Sequence, residues 1–164
     1  KEIKEFPFTI VGNLDYLKDH LNEYDSFFIA IGENQKRYEI MQWLKKLNIK
    51  NIVNLIHPNS TVSKFSFLSS GTCIMANAVI NPGTFIKEGV IINTSTSVDH
   101  DCIIDDFVHI SPNSTLSGGI KVGKFTHLGS GTSVHPNIII GNNVKIGIGS
   151  RVFKNILDNT IFKN

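Results

Sequence analysis

The chain has 164 residues, a formal net charge of +2 at pH 7 and a hydrophobic content of 41%. So small a net charge argues against a nucleic-acid or anionic-membrane partner, and the sequence has no aromatic-basic stripe. It also has no secretory signal and no long apolar span. Two cysteines provide no disulfide framework, so we expect a cytoplasmic protein. A chain of this length has room for one domain, or for a small domain and a repeat.

Residues 1–57 have the pattern of a small α/β unit. Residues 27–31 form an apolar run typical of a buried strand, Gly32 follows, and residues 52–56 form a second short run. Between them, residues 33–47 have helical spacing, with lysine and arginine on the face opposite the apolar one. The apolar positions are Tyr38, Ile40, Met41, Trp43, Leu44 and Leu47. Because strand, helix and strand make a βαβ unit, we predict a small, incomplete Rossmann-like domain.

Gly32 lies between the first predicted strand and the predicted helix, and its position has two interpretations. A glycine there lets backbone N–H groups approach a phosphate or hydroxyl, helped by the helix dipole. Alternatively, the turn only needs a residue that tolerates unusual backbone angles. No Gly-x-Gly-x-x-Gly motif accompanies Gly32, so the local sequence alone favours the second interpretation.

A six-residue repeat occupies most of the remaining chain. Ile, Val or Leu recurs at sixteen consecutive positions six residues apart, and the residue four places after each is small or β-branched. These aliphatic positions are Val62, Leu68, Ile74, Ile80, Ile86, Ile92, Val98, Ile104, Ile110, Leu116, Val122, Leu128, Val134, Ile140, Ile146 and Val152. A period of six describes a short strand and a turn, and three such hexads close a triangular coil. We predict a mainly β protein in which residues 58–157 form a left-handed parallel β-helix and residues 158–164 a tail.

The predicted coil stacks residues 18 apart on one face. This register places His109 beside His127, and His100 beside Gly118. His100 points outward near a turn, where Asp101 could orient its imidazole and raise its pKa, as a general base requires. The alternative is that an outward histidine is a solvated surface residue, which is the interpretation we prefer for His127.

Two other kinds of chemistry are not expected on the repeat. Zinc sites commonly contain two ligands three to five residues apart, and no two of the six histidines are that close. We therefore predict no metal. Cys102 falls in an inward position of the coil, so we expect it to be buried and inert.

Three segments resemble a known family. Residues 93–95, Asn-Thr-Ser, and residues 98–112, which begin Val-Asp-His-Asp-Cys, resemble the left-handed β-helix acyltransferases of the sialic acid O-acetyltransferase and bacillosamine-pathway N-acetyltransferase family. Residues 28–34 resemble its N-terminal nucleotide-sugar domain, and Gly32 matches a glycine that binds the sugar nucleotide. The resemblance implies acetyl-CoA as co-substrate, a nucleotide amino sugar or sialic-acid-type acceptor, and a homotrimer with the active site between subunits.

The resemblance also implies roles for residues of the β-helix. His100 matches the family's general base, and Asp101 matches the acidic residue that increases its basicity. His109 matches the histidine that contacts acetyl-CoA. Ser130 and Ile148 fall where the outer coils touch the cofactor through backbone groups.

These matches predict an acetyl-CoA-dependent N-acetyltransferase acting by direct attack, in which His100 removes a proton from the sugar amine. An O-acetyltransferase acting on sialic acid or a related sugar is the first alternative, because a hydroxyl needs the same base. A non-catalytic β-helix scaffold is the second, supported by the lack of the family's N-terminal Gly-x-x-Gly-x-Gly turn. The family's C-terminal Gly-x-Pro-Ala-type tail is also missing. We expect that these parts belong to a longer protein or were lost, and that nucleotide-sugar and cofactor binding are weakened.

Overall fold

The structure, a computed structural model, describes residues 9–163. Its helical elements are α1, Leu14–Asp19, a short 3₁₀ helix, Leu21–Glu23, and α2, Asn34–Lys46. Helix α2 has nearly the predicted extent because the Glu33 carboxylate caps it, accepting hydrogen bonds from the N–H groups of Gln35 and Lys36. Within the described residues, no helix is long and apolar enough to cross a membrane.

The strands predicted beside α2 are much shorter than expected. In the described part of the chain, residues 27–31 and 52–56 pair at a single parallel bridge, between Phe27 and Ile52. The second segment then divides, because Leu55–Ile56 pairs with the β-helix instead. The order strand, helix, strand is therefore present, but the prediction of a full strand at residues 27–31 is wrong.

From residue 55 to residue 162, the described chain forms eighteen strands of two residues each. In chain order they are β1 Leu55–Ile56, β2 Thr61–Val62, β3 Phe67–Leu68, β4 Cys73–Ile74, β5 Val79–Ile80, β6 Phe85–Ile86, β7 Ile91–Ile92, β8 Ser97–Val98, β9 Ile103–Ile104, β10 His109–Ile110, β11 Thr115–Leu116, β12 Lys121–Val122, β13 His127–Leu128, β14 Ser133–Val134, β15 Ile139–Ile140, β16 Lys145–Ile146, β17 Arg151–Val152 and β18 Ile161–Phe162.

These strands form three parallel sheets along the axis of the solenoid. The first sheet has the order β1-β4-β7-β10-β13-β16-β18, the second β2-β5-β8-β11-β14-β17, and the third β3-β6-β9-β12-β15. Up to β17, each strand pairs with the strand one coil away, and the register joins residues 18 apart, as in His109 and His127. The predicted left-handed parallel β-helix with three hexads per coil is confirmed.

Strand pairing extends slightly beyond the predicted limits of the β-helix. Leu55–Ile56 pairs with Cys73–Ile74, and Ile161–Phe162 pairs with Lys145–Ile146. The division of the chain after residues 57 and 157 remains a prediction about folding units.

The core consists of aliphatic side chains inside the coils. Fourteen of the sixteen predicted corner positions, from Ile74 to Val152, are at most 5% exposed, and the first two are partly buried. Each such side chain contributes about 1.5–3 kcal/mol by leaving water. Most residues of the second inward position are buried as well, and several of their hydroxyls donate to coil carbonyls, as Thr84 Oγ1 does to the Asp99 carbonyl oxygen at 2.8 Å. The buried hydroxyl of Ser150 has no hydrogen-bond partner among the described residues. The inward register predicted from the sequence is confirmed.

Helix α2 packs its apolar face beside the β-helix. Met41 and Leu44 are buried, as the helical spacing predicts. The Tyr38 ring meets the rings of Phe107 and Phe125 edge to face, with centroids 5.2 and 5.4 Å away. These contacts fix the beginning of α2 above the turns that precede the first sheet.

Arg37 departs from the prediction for this helix. The helical pattern predicts it on the solvent face, yet its side chain is 1% exposed. Burial is tolerated because each of its three guanidinium nitrogens donates to a nearby oxygen.

Candidate active site

The predicted catalytic pair lies at an outer corner of the solenoid. His100 and Asp101 belong to the turn between β8 in the second sheet and β9 in the third. Asp101 has a left-handed φ of 59°, and the equivalent turns have positive φ at Gly83, Gly119 and Asn137. Glycine and asparagine adopt this conformation most readily. Aspartate at the same backbone position adds a carboxylate beside the imidazole.

The side chains of His100 and Asp101 are in direct contact. Nδ1 of His100 lies 2.8 Å from Oδ2 of Asp101. Because a carboxylate accepts, Nδ1 donates, and Nε2 carries the lone pair of the neutral ring. This hydrogen bond, followed by the charge of Asp99, raises the pKa of His100 above its usual value. The two side chains are 60% and 71% exposed, so the imidazole is accessible to a ligand.

Neighbouring groups hold the His100 turn in place. Oδ1 of Asp99 accepts from the His100 N–H at 2.8 Å and from Nδ2 of Asn81 at 2.9 Å. These two hydrogen bonds lower the pKa of Asp99 and keep it charged. On the other side, a Cβ at Gly118 would lie 2.6 Å from both Cε1 and Nε2 of His100. The predicted stacking of His100 on Gly118 is confirmed, and the ring occupies space that residue 118 leaves free.

A cavity, here called the groove, lies between the first sheet and the beginning of α2. It has a volume of about 770 Å³, which is within the range of small-molecule sites. Its lining consists of residues 32–35, His109, Phe125, His127, Asn143 and Lys145. The strand register places His109, His127 and Lys145 in one outward column of the first sheet. The groove thus combines the solenoid face with the turn that precedes α2.

His109 is held in the groove as a neutral imidazole. Its Nδ1 lies 3.2 Å from the Gly32 carbonyl oxygen, which accepts, and its Nε2 lies 3.1 Å from Nδ2 of Asn93, which donates. The proton is therefore on Nδ1. Burial, followed by the charges of His127 and Arg37, lowers the pKa of His109 to about 4, although the Gly32 hydrogen bond opposes this shift. At neutral pH the ring is uncharged.

His127 is exposed, as the surface interpretation expects, but it also has specific partners in the groove. Its ring stacks on that of His109, with centroids 4.7 Å apart and an interplanar angle of 6°. Nε2 of His127 lies 2.9 Å from Oγ of Ser111. Burial, followed by the charges of Arg37 and Lys145, lowers the pKa of His127. The sequence indicates this position of His127 through the 18-residue register of the coils, which pairs it with His109.

Ser130 and Ile148 lie at the corner between the first and second sheets. They stack on adjacent coils, where the Gly149 N–H donates to the Ser130 carbonyl at 2.8 Å. Ile148 is 83% exposed. Ser130 follows β13, the strand that carries His127, so these positions lie beside the first sheet, outside the residues that line the groove.

Gly32 is exposed in the groove, and its turn does not require glycine. Its φ lies outside the left-handed region, and a Cβ there would meet no atom within 4 Å. The interpretation based on backbone freedom is therefore wrong. What distinguishes the position is open space next to the N-terminus of α2.

The predicted site residues form two separate groups in one chain. His100 and Asp101 lie at the corner between the second and third sheets, whereas Gly32 and His109 meet in the groove on the first sheet. In a triangular coil that corner is opposite the first sheet. Within one chain the two groups therefore do not share a face of the solenoid.

Two further observations concern alternative chemistry. Cys102 is fully buried, as predicted, and burial raises the pKa of its thiol, so it offers no thiolate nucleophile. Among residues 9–163, no group of three or more His, Cys, Asp or Glu side chains is placed to hold a metal ion.

No protein-family model matches the sequence, and no curated protein matches it significantly. Solved structures match nearly the whole chain. The acetyltransferase domain of PglB from Neisseria gonorrhoeae FA1090, in complex with acetyl coenzyme A, is 34% identical, with a TM-score of 0.92 over 98% of this chain and 78% of its own. PerB from Caulobacter crescentus, in complex with CoA and GDP-perosamine, is 35% identical, with a TM-score of 0.84 over 88% of this chain and 70% of its own. WeeI from Acinetobacter baumannii AYE, at 21% identity, has a TM-score of 0.81 over 90% of this chain and 73% of its own and thus shares the fold.

Proposed function

The chain belongs to the hexapeptide-repeat sugar acetyltransferases, and from this premise we propose that it transfers the acetyl group of acetyl-CoA to the amino group of a nucleotide-linked amino sugar. Two similar proteins support the choice of reactants: the gonococcal domain binds acetyl coenzyme A, and PerB binds CoA and GDP-perosamine. The observation in this chain that carries the proposal is the 2.8 Å contact between His100 and Asp101.

His100 acts as the general base in this proposal. Its Nε2 removes a proton from the sugar amine while the nitrogen attacks the thioester carbonyl. When the tetrahedral intermediate collapses, the carbon–sulfur bond breaks, and the imidazolium returns its proton to the thiolate of CoA. Asp101 keeps the proton of the neutral ring on Nδ1, so the lone pair faces the acceptor. Backbone N–H groups of the coils stabilise the oxyanion.

No covalent acetyl-enzyme is part of the proposal. A cysteine nucleophile would need an exposed thiolate, and Cys102 is buried with a raised pKa. Direct attack needs only the base, the acceptor and the thioester in one place.

We assign the cofactor to the groove and to the corner beside the first sheet. His109 contacts acetyl-CoA through a neutral imidazole, and the backbone at Ser130 and Ile148 follows the cofactor along the adjacent corner. Gly32 contacts the nucleotide sugar, and the open space around it supports this assignment.

The active enzyme in this proposal is a homotrimer. The separation of His100 from the groove within one chain supports a site between subunits, in which the corner of one protomer faces the groove of its neighbour. Sedimentation equilibrium should give three times the chain mass of 18.2 kDa. A monomer that is fully active would contradict this arrangement.

A reducing compartment is consistent with the two free cysteines, Cys73 and Cys102. We therefore include a cytoplasmic location in the proposal.

The acceptor is tested by measuring CoA release with the purified protein and acetyl-CoA. The panel should contain uridine- and guanosine-diphosphate-linked amino sugars, the matching hydroxy sugars and free sialic acid. Turnover with the amino sugars supports the proposal, whereas turnover with sialic acid alone supports O-acetylation. A thermal-shift titration with acetyl-CoA distinguishes both from a scaffold, because a ligand that binds the folded state raises Tm. No shift and no turnover would reject catalysis.

A further inference from the structure

Arg37 is a buried cation whose hydrogen bonds are all made to uncharged oxygens. Its side chain is 1% exposed, and burial lowers its pKa to about 10, so it remains protonated at neutral pH. A guanidinium has five N–H donors. Five contacts are present: Nε to the Gly89 carbonyl at 2.7 Å, Nη1 to the carbonyls of Ile31 at 2.9 Å and Gly32 at 3.1 Å, and Nη2 to Asn34 Oδ1 at 2.9 Å and the Phe107 carbonyl at 3.1 Å. The donor set is fully used.

These acceptors come from two parts of the molecule. Ile31 and Gly32 belong to the turn before α2, whereas Gly89 and Phe107 belong to stacked turns of the solenoid. The planar guanidinium therefore joins the turn before α2 to two stacked turns of the solenoid. A lysine at this position would keep the charge, but its single nitrogen has three donors and cannot match the same five acceptors.

The Gly32 carbonyl links this cation to His109. It accepts from Nη1 of Arg37 at 3.1 Å and lies 3.2 Å from Nδ1 of His109. A carbonyl oxygen has two lone pairs, so it can serve both donors. This oxygen accepts from Nδ1 while Nδ2 of Asn93 donates to Nε2, and together they put the proton of His109 on Nδ1. Arg37 holds the oxygen in that position.

The positive charges near His109 and His127 act in the same direction and lower the pKa values of these two histidines. His127 stacks on the ring from the same sheet, Arg37 approaches from α2, and Lys145 lies on the other side of His127. Glu33 at the beginning of α2 and Cys73 on the first sheet act in the opposite sense on Arg37, because each raises its pKa. Nearby positive charge disfavours an imidazolium, and Arg37 contributes to the lowered pKa of His109.

We propose that Arg37 is a positioning residue of the acetyl transfer: it holds the Gly32 carbonyl against His109 and so keeps His109 in the neutral Nδ1–H form that contacts acetyl-CoA. The link to acetyl-CoA depends on the proposed function. The link between Arg37 and the protonation of His109 does not, and it can be measured without any substrate.

The direct test is the tautomer of His109 in protein labelled with ¹⁵N-histidine. In the wild type, the ring nitrogen shifts and their couplings to carbon-bound protons should show a protonated Nδ1 and a bare Nε2 at pH 7. Arg37→Lys should show a mixture of tautomers and a kcat/KM for acetyl-CoA lowered about 10- to 100-fold, because misplaced contacts have effects of this size. Lys36→Gln, at an exposed neighbouring position on α2, is the matched control and should leave the tautomer of His109 and kcat/KM for acetyl-CoA unchanged.

The outcomes separate positioning from folding. A folded Arg37→Lys protein with the wild-type tautomer would overturn the proposal, as would a protonated Nε2 in the wild type. If Arg37→Lys does not fold, Asn34→Ala decides the question, because it loosens the guanidinium and leaves the charge: it removes one acceptor of Arg37 and the two hydrogen bonds that Asn34 donates to the Phe125 and Thr126 carbonyls. A mixture of tautomers in that variant supports the proposal, and an unchanged tautomer rejects it. If neither the wild type nor any variant transfers an acetyl group, but the tautomers are as predicted, the proposed function is rejected and the link between Arg37 and His109 stands.

Discussion

The imidazole of His100 lies against the backbone of Gly118, with Cε1 and Nε2 each 2.6 Å from the point that a Cβ of residue 118 would occupy. No substitution at residue 118 can keep the ring where it is. Two features therefore fix the position of the base in the proposed reaction. The carboxylate of Asp101 holds the ring by a hydrogen bond, and glycine at residue 118, one coil further along, leaves the space that the ring occupies.

Replacing Gly118 with alanine should displace the imidazole while leaving the fold intact. Gly118 has no left-handed φ, so alanine causes no backbone strain there. We expect kcat to fall about 100-fold, in line with other displacements of a catalytic group by about 1 Å. Steady-state kinetics measures the change in kcat. Gly147→Ala is the control for stability, because its added Cβ makes ordinary contacts of 3.5 Å or more, and the Tm of Gly118→Ala should change as little as the Tm of this control. A normal kcat in the Gly118→Ala enzyme would mean that the ring position is not critical.

Replacing Asp101 with asparagine should change the pH dependence of the reaction. The base is active when neutral, so kcat/KM of the wild type falls as the pH drops through the raised pKa of His100. Asparagine removes the charge but tolerates the left-handed φ of 59°, as Asn137 does in an equivalent turn. The acidic limb should move to lower pH, and the plateau should fall because the base is weaker. Asp105→Asn, which removes a carboxylate that pairs with Lys87, should leave the limb in place.

An alanine at Gly32 should weaken acceptor binding without destabilising the protein. A Cβ at this position points into open space, and φ is ordinary, so Tm should not fall. If the nucleotide sugar approaches the backbone here, its KM should rise about tenfold or more, while the KM for acetyl-CoA changes little. Equal increases in both KM values would show that Gly32 does not distinguish the two substrates.

Ile148→Asp should weaken acetyl-CoA binding selectively. Ile148 is 83% exposed, so the change removes no core contact, but it places a negative charge where we assign a cofactor that carries phosphates. The thermal shift produced by a fixed acetyl-CoA concentration should decrease. Leu157→Asp is the control, since Leu157 is 81% exposed. An undiminished shift in the Ile148 variant would move the cofactor away from this corner.

The hexad register made much of this structure predictable. A solenoid repeats by translation, so one period fixes the buried positions, the stacking of His109 on His127 and the placement of His100 beside Gly118. No such rule relates α2 to the coils.

Arg37 shows where the prediction fails. Helical periodicity assigns a charged residue to the solvent face, and it has no information about carbonyl oxygens on another part of the chain. Residues 27–31 show the same failure. Their apolar run predicts a strand, but in the described part of the chain this segment pairs at one bridge only, between Phe27 and Ile52. Local pattern identifies an element, whereas its length and partners depend on what lies beside it.

The central claim is that His100 is the base of an acetyl transfer, and the kinetics of His100→Ala test it most directly. His100 is 60% exposed and makes no core contact, so the variant should fold and show the wild-type thermal shift with acetyl-CoA. Its kcat for CoA release with the amino-sugar acceptor should fall about 10²- to 10⁴-fold. A kcat within a few-fold of the wild type, with acetyl-CoA still bound, would contradict the role of His100.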